Sequence, residues 1–242
     1  MDILDEQGAK LLGKPAGRYV TLELGAFSRR EEGSFANAVE AVACEASGFL
    51  HAPRRALCAG LGNEAVTPDA LGPWTLESLL VTRHLKARMP EAFSSFCSVS
   101  AVRPGVLGTS GMESLELVQA AAGVVQPECV IVVDALAAAE PERLCRTVQL
   151  TDAGLAPGSG IGNCRAAFTA GSLGARVLAV GVPTLMDAEY LAGRALPGVQ
   201  GLIVTPRDID RRVREMARVV GLGLSLALHP GLTIGELERL LA

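Results

Sequence analysis

The chain has 242 residues, of which 49% are hydrophobic and 20% are charged, and its mean hydropathy is +0.33. This composition predicts a globular protein and excludes a disordered chain. The net charge is −4 and the basic residues are scattered, apart from several arginines between positions 207 and 218, so nucleic acid is not an expected partner. No apolar stretch reaches the roughly 18 residues of a membrane span, and residues 1–10 do not resemble a signal peptide. We therefore expect a cytoplasmic protein that has no membrane partner.

The predicted elements alternate along the chain between short apolar strands and amphipathic helices. Strands are expected at 19–24, 56–61, 97–102, 130–133, 147–150, 176–182 and 202–204, and helices at 34–49, 74–88, 111–125, 208–228 and 233–241. Most strands are continuously apolar, as in strands covered on both faces. The alternation predicts a single α/β domain over 1–242, a three-layer α/β/α sandwich with a mainly parallel central sheet.

The first candidate functional segment is GLGNEAVTPDALGP, residues 60–73, which follows a predicted strand. Gly60 and Gly62 allow a sharp turn there, Asn63 can bond the backbone of that turn, and Asp69 comes close to a helix start. Polar residues at the carboxyl ends of parallel strands are often functional. The alternative for Asp69 is a favourable interaction with the helix dipole, worth about 0.3 to 1 kcal/mol.

The next candidate is PGVLGTSGMES, residues 104–114. Free backbone amides at Thr109, Ser110 and Gly111 could bind a substrate carbonyl or carboxylate. The alternative is an ordinary helix start, with Ser110 as N-cap and Glu113 completing a capping box.

Asp134 ends the apolar run CVIVVD, so its carboxyl must reach solvent or find partners. It could also cap the turn that follows. Two carboxyls held together at strand ends cannot both ionise cheaply, so Asp69 and Asp134 would supply one acid and one base near neutral pH. That pair is the arrangement needed to activate a water against an amide.

The glycine-rich stretch TDAGLAPGSGIGN, residues 151–163, is not a P-loop, because no Lys-Ser or Lys-Thr follows it. We interpret Gly158 and Gly160 as part of a wall that a peptide backbone can approach closely, with a plain surface loop as the alternative.

The six cysteines lack metal-site or disulfide spacing and are read as reduced thiols, several of them in the core. We expect no metal and no cofactor.

Taken together, several strings resemble the spore germination protease family, endopeptidases that degrade small acid-soluble spore proteins when endospores germinate. They occur in the family's order and cover most of the chain: GKPAGRYVTLEL (13–24), GLGNEAVTPDALGP (60–73), VTRHL (81–85), PGVLGTSGMES (104–114), VIVVDALAA (130–138), TVQLTDAGLAPGSGIGN (147–163), VGVPTLMDA (180–188) and IVTPRDID (203–210).

The resemblance implies an atypical aspartic peptidase of the spore core whose catalytic residues are Asp69 and Asp134, with small acid-soluble spore proteins as substrates. Asn63, Thr109, Ser110, Gly111, Gly158 and Gly160 are then the predicted substrate-binding residues. The fold also resembles the hydrogenase maturation endopeptidases, so a metal-dependent peptidase that uses the same carboxyls is one alternative.

A catalytically silent regulatory relative is the other alternative. Two departures from the family motivate it. The segment GKPAGRYVTLEL, which starts at residue 13, lies close to the start of the sequence, so the family's propeptide is expected to be missing. The segment between Asp187 and Val204 is also shorter than usual in the family. Self-activation is therefore expected to be missing. Homo-oligomer formation stays open.

Overall fold

The structure is a computed structural model that describes residues 1–158, 165–189 and 201–242. Within these ranges eight strands form one sheet: β1 (Asp2–Ile3), β2 (Gly17–Glu23), β3 (Arg55–Leu61), β4 (Ser98–Gly105), β5 (Cys129–Ala137), β6 (Thr147–Thr151), β7 (Arg176–Asp187) and β8 (Ile203–Val204). The α-helices in the same ranges are α1 (Glu6–Leu12), α2 (Gly25–Ser28), α3 (Ser34–Leu50), α4 (Leu71–Thr75), α5 (Arg83–Arg88), α6 (Leu107–Ser110), α7 (Ser114–Val125), α8 (Ala170–Leu173), α9 (Ile209–Leu228) and α10 (Ile234–Leu241). All seven predicted strands are present.

The strand order is β1-β2-β6-β7-β5-β3-β4, and β8 pairs with β7. The four strands β4, β3, β5 and β7 are parallel to one another, whereas β6, β2 and β1 continue the sheet in antiparallel pairs. The predicted α/β/α fold with a mainly parallel central sheet is therefore confirmed for the core of the sheet. The antiparallel extension is a difference from the prediction.

Helices cover the two faces of the sheet unequally. On one face, α3, α4 and α9 pack over the sheet and enclose the larger apolar cluster, which includes Val42, Ile131 and Val220. On the other face, α7 and α8 enclose a smaller cluster over β3, β5 and β7. On that second face β6 and β2 are less covered, since Gln149 is only half-buried and Thr21 is exposed.

The predicted helix 74–88 is broken in the structure, which is a correction. Helix α4 ends at Thr75, a 3₁₀ turn follows, and the backbone is extended at Leu79. The reason is tertiary: the N–H of Leu80 donates to the Ser225 hydroxyl at 2.9 Å, and the Thr82 hydroxyl accepts from the N–H of Val99 at 2.9 Å. Because these partners are distant in sequence, local propensity could not reveal the break.

The predicted helix 111–125 begins later, at Ser114. Gly111 has φ of +71° and terminates the short helix α6, so the chain reverses before α7 starts. Glu113 is the N-cap and Glu116 completes the capping box, one turn later than predicted. The Ser110 hydroxyl is instead bonded to the carbonyls of Val106 and Met112.

Five short elements, β1, α1, α2, α6 and α8, were not predicted, because runs of two to seven residues hold little periodicity. In the described ranges no helix is both long enough and apolar enough to cross a membrane.

Cys58, Cys97, Cys129 and Cys145 are free and buried as expected, Cys44 is free and exposed, and Cys164 lies outside the described residues.

Candidate active site

Asp69 lies on a tight turn between β3 and α4. Gly62 opens this turn with φ of +108°, and a Cβ at this position would lie 2.0 Å from the carbonyl oxygen of Asp69. The N–H of Asn63 donates to Asp69 Oδ2 at 2.7 Å, while Asn63 Oδ1 accepts from the N–H of Ala65 at 3.0 Å. The turn predicted at Gly62 and the bond predicted for the Asn63 side chain are confirmed.

Gly60 does not form part of this turn, because it lies inside β3, and this corrects the expectation for that glycine. Its role is close packing: a Cβ on Gly60 would lie 2.4 Å from the carbonyl oxygen of Gly72 in α4. The absence of side chains at Gly60 and Gly72 therefore lets α4 lie directly against the strand and fixes the position of the intervening turn.

Two threonines fasten the same turn to the rest of the protein. The buried Thr184 on β7 donates its hydroxyl to the carbonyl of Pro68 at 2.6 Å. Thr67 donates to Asp210 Oδ1 at the start of α9, at 2.7 Å. The backbone beside Asp69 is thus held from the strand and from the helix layer.

Asp134 is positioned by strand β5. It pairs in register with Gly181 of β7, and its side chain is buried, with 6% of the residue exposed. Its Oδ1 accepts from the N–H of Ala135 at 2.9 Å. Burial, and next the charge of Asp69, raise the pKa of Asp134 to about 8, although the Ala135 amide lowers it in part.

Asp69 has a different environment, because it is only half-buried. Burial raises its pKa, and the backbone N–H of Asn63 and the positive charge of Arg165 offset that rise only in part. Since both amide and cation favour the ionised carboxylate, Asp69 is the better base of the two, and Asp134 the better acid.

Both acids line one cavity of about 470 Å³ at the carboxyl ends of the parallel strands. Most of its wall is apolar, and the polar side chains in it are few: Asp69, Ser114, Asp134, Gln149 and Arg165. The apolar part of the lining comes from Leu61, Val66, Pro68, Val106, Ala135, Leu136, Ala137, Leu155, Ala156, Pro157, Leu185 and Ile203.

The predicted substrate-binding residues are only partly brought together here. Gly158 lines the cavity, with φ of +73°, and Gly160 lies outside the described residues, as does most of the segment between Asp187 and Val204. Asn63 is adjacent to Asp69 and contacts it through its backbone amide.

The segment 109–111 is not part of the described cavity lining. The N–H groups of Thr109 and Ser110 donate to the carbonyl of Val106, and that of Gly111 donates to the carbonyl of Leu107. These amides are therefore engaged within α6, and the structure does not present them as free donors to a substrate.

Arg165 and Gln149 are polar residues of the cavity lining that were not predicted. Arg165 Nη1 lies 3.6 Å from Glu113 Oε2, and the positive charge of Arg165 lowers the pKa of Asp69 in part. In the sequence, Arg165 was visible only as a basic residue after the glycine-rich stretch. Gln149 is in the strand Thr147–Thr151, where polar and apolar residues alternate. That alternation indicates a strand with one uncovered face, which is the signal that could have found Gln149.

Two carboxyls in unlike environments, on one cavity at the carboxyl ends of parallel strands, are an arrangement suited to a hydrolytic enzyme. The germination protease family model matches residues 1–196. A germination protease of Caldanaerobacter subterraneus subsp. tengcongensis is 39% identical over 99% of this chain and 86% of its own length. One of Clostridium perfringens is 34% identical over 100% of this chain and 87% of its own.

The chain belongs to the germination protease family, and it is a peptidase. The predicted family is thereby confirmed. A third relative, the germination protease of Bacillus licheniformis, is 45% identical over 78% of this chain and 52% of its own length.

Among solved structures, the [NiFe] hydrogenase maturation protease HycI from Thermococcus kodakarensis is similar with a TM-score of 0.44 and 16% identity, over 74% of this chain and 98% of its own. In the part of the chain that the structure describes, no three His, Cys, Asp or Glu side chains gather as a metal site.

Proposed function

We propose that this peptidase is an endopeptidase that cleaves small acid-soluble spore proteins in the spore core during germination, using Asp69 and Asp134 to activate a water. The observation that carries this proposal is the pair itself: two carboxyls on one cavity, one with an amide and a cation that favour its charge, the other buried with its pKa raised to about 8. Membership of the germination protease family supports the biological setting.

In the proposed reaction the water lies between the two carboxyls. Asp69 accepts a proton from the water while the water oxygen bonds to the scissile carbonyl carbon, and Asp134 donates its proton to the carbonyl oxygen. The tetrahedral intermediate then collapses: the C–N bond breaks and the proton held by Asp69 passes to the leaving nitrogen. Asp134 recovers its proton from the intermediate's hydroxyl as the new carboxyl forms, so the pair returns to its starting state.

The cavity suits a polypeptide segment in size and chemistry. A volume of about 470 Å³ lies within the range of roughly 300 to 1,000 Å³ usual for ligand sites. Its apolar walls can accept aliphatic side chains on either side of the scissile bond, and Gly158 leaves room for a backbone. A peptide seated there would exclude water from Asp134, which strengthens its electrostatic coupling to Asp69.

The test is cleavage of a purified small acid-soluble spore protein by the Asp69→Asn and Asp134→Asn variants, read by intact mass. We expect each variant to stay folded by circular dichroism and to lose cleavage by about 10²-fold to 10⁴-fold, the usual contribution of an acid or base. Asp2→Asn is the matched control, because Asp2 is an exposed acid on the edge strand.

Retained cleavage in both active-site variants would refute the pair. The same assay run after exhaustive chelation separates the proposal from a metal-dependent peptidase, since the aspartate-pair reaction is expected to continue. No cleavage by the wild-type chain would instead favour a catalytically silent relative.

A further inference from the structure

Gln149 lies on the same row of the sheet as Asp134. Asp134 of β5 pairs with Gly181 of β7, and Gly181 pairs with Gln149 of β6. Directly paired residues of neighbouring strands point to the same face of a sheet. The carboxyl of Asp134 and the carboxamide of Gln149 therefore stand on the same face and both line the cavity. Since neighbouring strands lie about 4.8 Å apart, the two Cα atoms are about 10 Å apart.

The space between them has an apolar floor. Gly181 has no side chain, and the position that its Cβ would take is filled by Leu136, whose Cδ1 lies 2.4 Å from that point. Leu136 also lines the cavity. Along this row the cavity is thus lined by the carboxyl of Asp134, the aliphatic side chain of Leu136 and the carboxamide of Gln149. Gln149 is only half-buried in this row, and it faces the cavity as one of the lining residues.

The carboxamide of Gln149 is available to a ligand. Among the described residues it has no hydrogen-bond partner, and it is half-buried rather than fully solvated. A primary amide offers both donors and an acceptor, so it matches the C=O and N–H of a single peptide unit in an extended chain. The other neutral polar side chain of the described lining, Ser114, already donates its hydroxyl to the carbonyl of Gly105 at 2.9 Å.

From this geometry we infer that Gln149 binds the substrate backbone beside the scissile bond, donating to one carbonyl and accepting from one N–H of an extended segment that lies over Leu136. This inference rests on the proposed function of Asp69 and Asp134. It adds a subsite on the β6 side of the acid pair and orients the substrate across the strands, from the Asp69 turn towards the exposed face of β2.

The test uses Gln149→Ala and Gln149→Glu in the full chain. A group that binds substrate and transition state alike changes KM with little change in kcat. We expect Gln149→Ala to raise KM about tenfold, in line with the loss of two ordinary hydrogen bonds. We expect Gln149→Glu to be worse, because it replaces the donors with a charge near Asp134.

Gln119→Ala is the matched control, since Gln119 is exposed on α7, bonds the carbonyl of Ser172 and lies outside the cavity lining. It should keep wild-type kinetics. A purely structural effect of Gln149 on Asp134 would lower kcat and move the alkaline limb of the pH profile, and this result would overturn the inference. An unchanged KM in Gln149→Ala would overturn it as well.

Binding of the uncut spore protein to Asp134→Asn, with and without Gln149→Ala, separates this inference from the proposed mechanism. A Kd about tenfold weaker in the double variant supports the subsite whether or not the acid pair is catalytic. If Asp69→Asn and Asp134→Asn lose cleavage, but Asp134→Asn binds the spore protein with the same Kd with and without Gln149→Ala, only the Gln149 subsite is refuted.

Discussion

The two acids of the site are built on different kinds of backbone. Asp69 lies on a turn that glycine, threonine and asparagine contacts hold in place, and it receives an amide N–H and the influence of a cation. Asp134 is embedded in a regular strand, buried, with the amide of Ala135 as its hydrogen-bond donor. Both carboxyls receive one backbone amide, but Asp134 is more deeply buried in the sheet and, among the described residues, has no cation acting on it comparable to Arg165 at Asp69, so its neutral form is favoured more strongly.

Distorting the turn should have the largest effect. Gly62→Ala places a Cβ only 2.0 Å from the Asp69 carbonyl oxygen, in a backbone conformation that alanine adopts at a cost. The turn must move, and a displacement on the order of 1 Å in a reacting group can cost about 100-fold in rate. We expect kcat/KM for spore-protein cleavage to fall by about that factor.

Gly108→Ala is the control for this change, because Gly108 lies on α6 without a positive φ, and a methyl group added there would meet no atom within 4 Å. It should keep wild-type kcat/KM. Near-normal activity in Gly62→Ala would mean that the position of the Asp69 turn is unimportant for catalysis.

Neutralising the strand acid should stabilise the protein in a pH-dependent way. The pKa of Asp134 is raised to about 8 in the folded state, against about 3.9 for an unfolded aspartate. Wild-type stability is therefore lost as the pH rises from about 4 to about 8, because unfolding releases a proton over that interval. Asp134→Asn removes this loss.

The measurement is the Tm of Asp134→Asn and wild type across pH 4 to 9. The gain of the variant should be small near pH 4, grow to the equivalent of on the order of a few kcal/mol by pH 8 and then level off. Asp2→Asn should show no such trend. A gain that is constant with pH would contradict the raised pKa.

The same strand acid predicts the alkaline limb of activity. If Asp134 donates a proton, kcat/KM should fall about tenfold for each pH unit above its pKa of about 8. Initial rates between pH 6 and pH 10, with circular dichroism to check folding at each pH, give the limb. Activity that stays level to pH 10 would exclude Asp134 as the general acid.

Much of this arrangement is readable from the sequence. A continuous apolar run such as 129–133, bounded by polar residues, is typical of a buried strand, and parallel strands bring their carboxyl ends to one edge. Those two facts made Asp69 and Asp134 candidates, and the resemblance to the germination protease family then implied a catalytic role for both. Their catalytic role stays a prediction until the variants are tested.

What the sequence could not provide is information set by distant partners. The break after Thr75 depends on Ser225, which is 145 residues away from Leu80. The row that joins Asp134 to Gln149 depends on the order of β5, β7 and β6 in the sheet, and strand order is not encoded in local periodicity. The amides of 109–111 were expected to be free because a helix start leaves donors unpaired, but α6 uses them.

The two threonines that hold the Asp69 turn offer the smallest and most discriminating comparison. Thr184→Val leaves the carbonyl of Pro68 without its donor in a largely buried setting, which costs about 1 to 3 kcal/mol. Thr67→Val removes a bond to Asp210 at an exposed position, where water can replace it, and should cost less than about 1 kcal/mol. Urea denaturation measures both. Thr184 is on β7, the strand next to that of Asp134, so we expect Thr184→Val, but not Thr67→Val, to lower kcat/KM as well. If the two variants lower stability and kcat/KM equally, the turn is held by the helix layer as much as by the sheet.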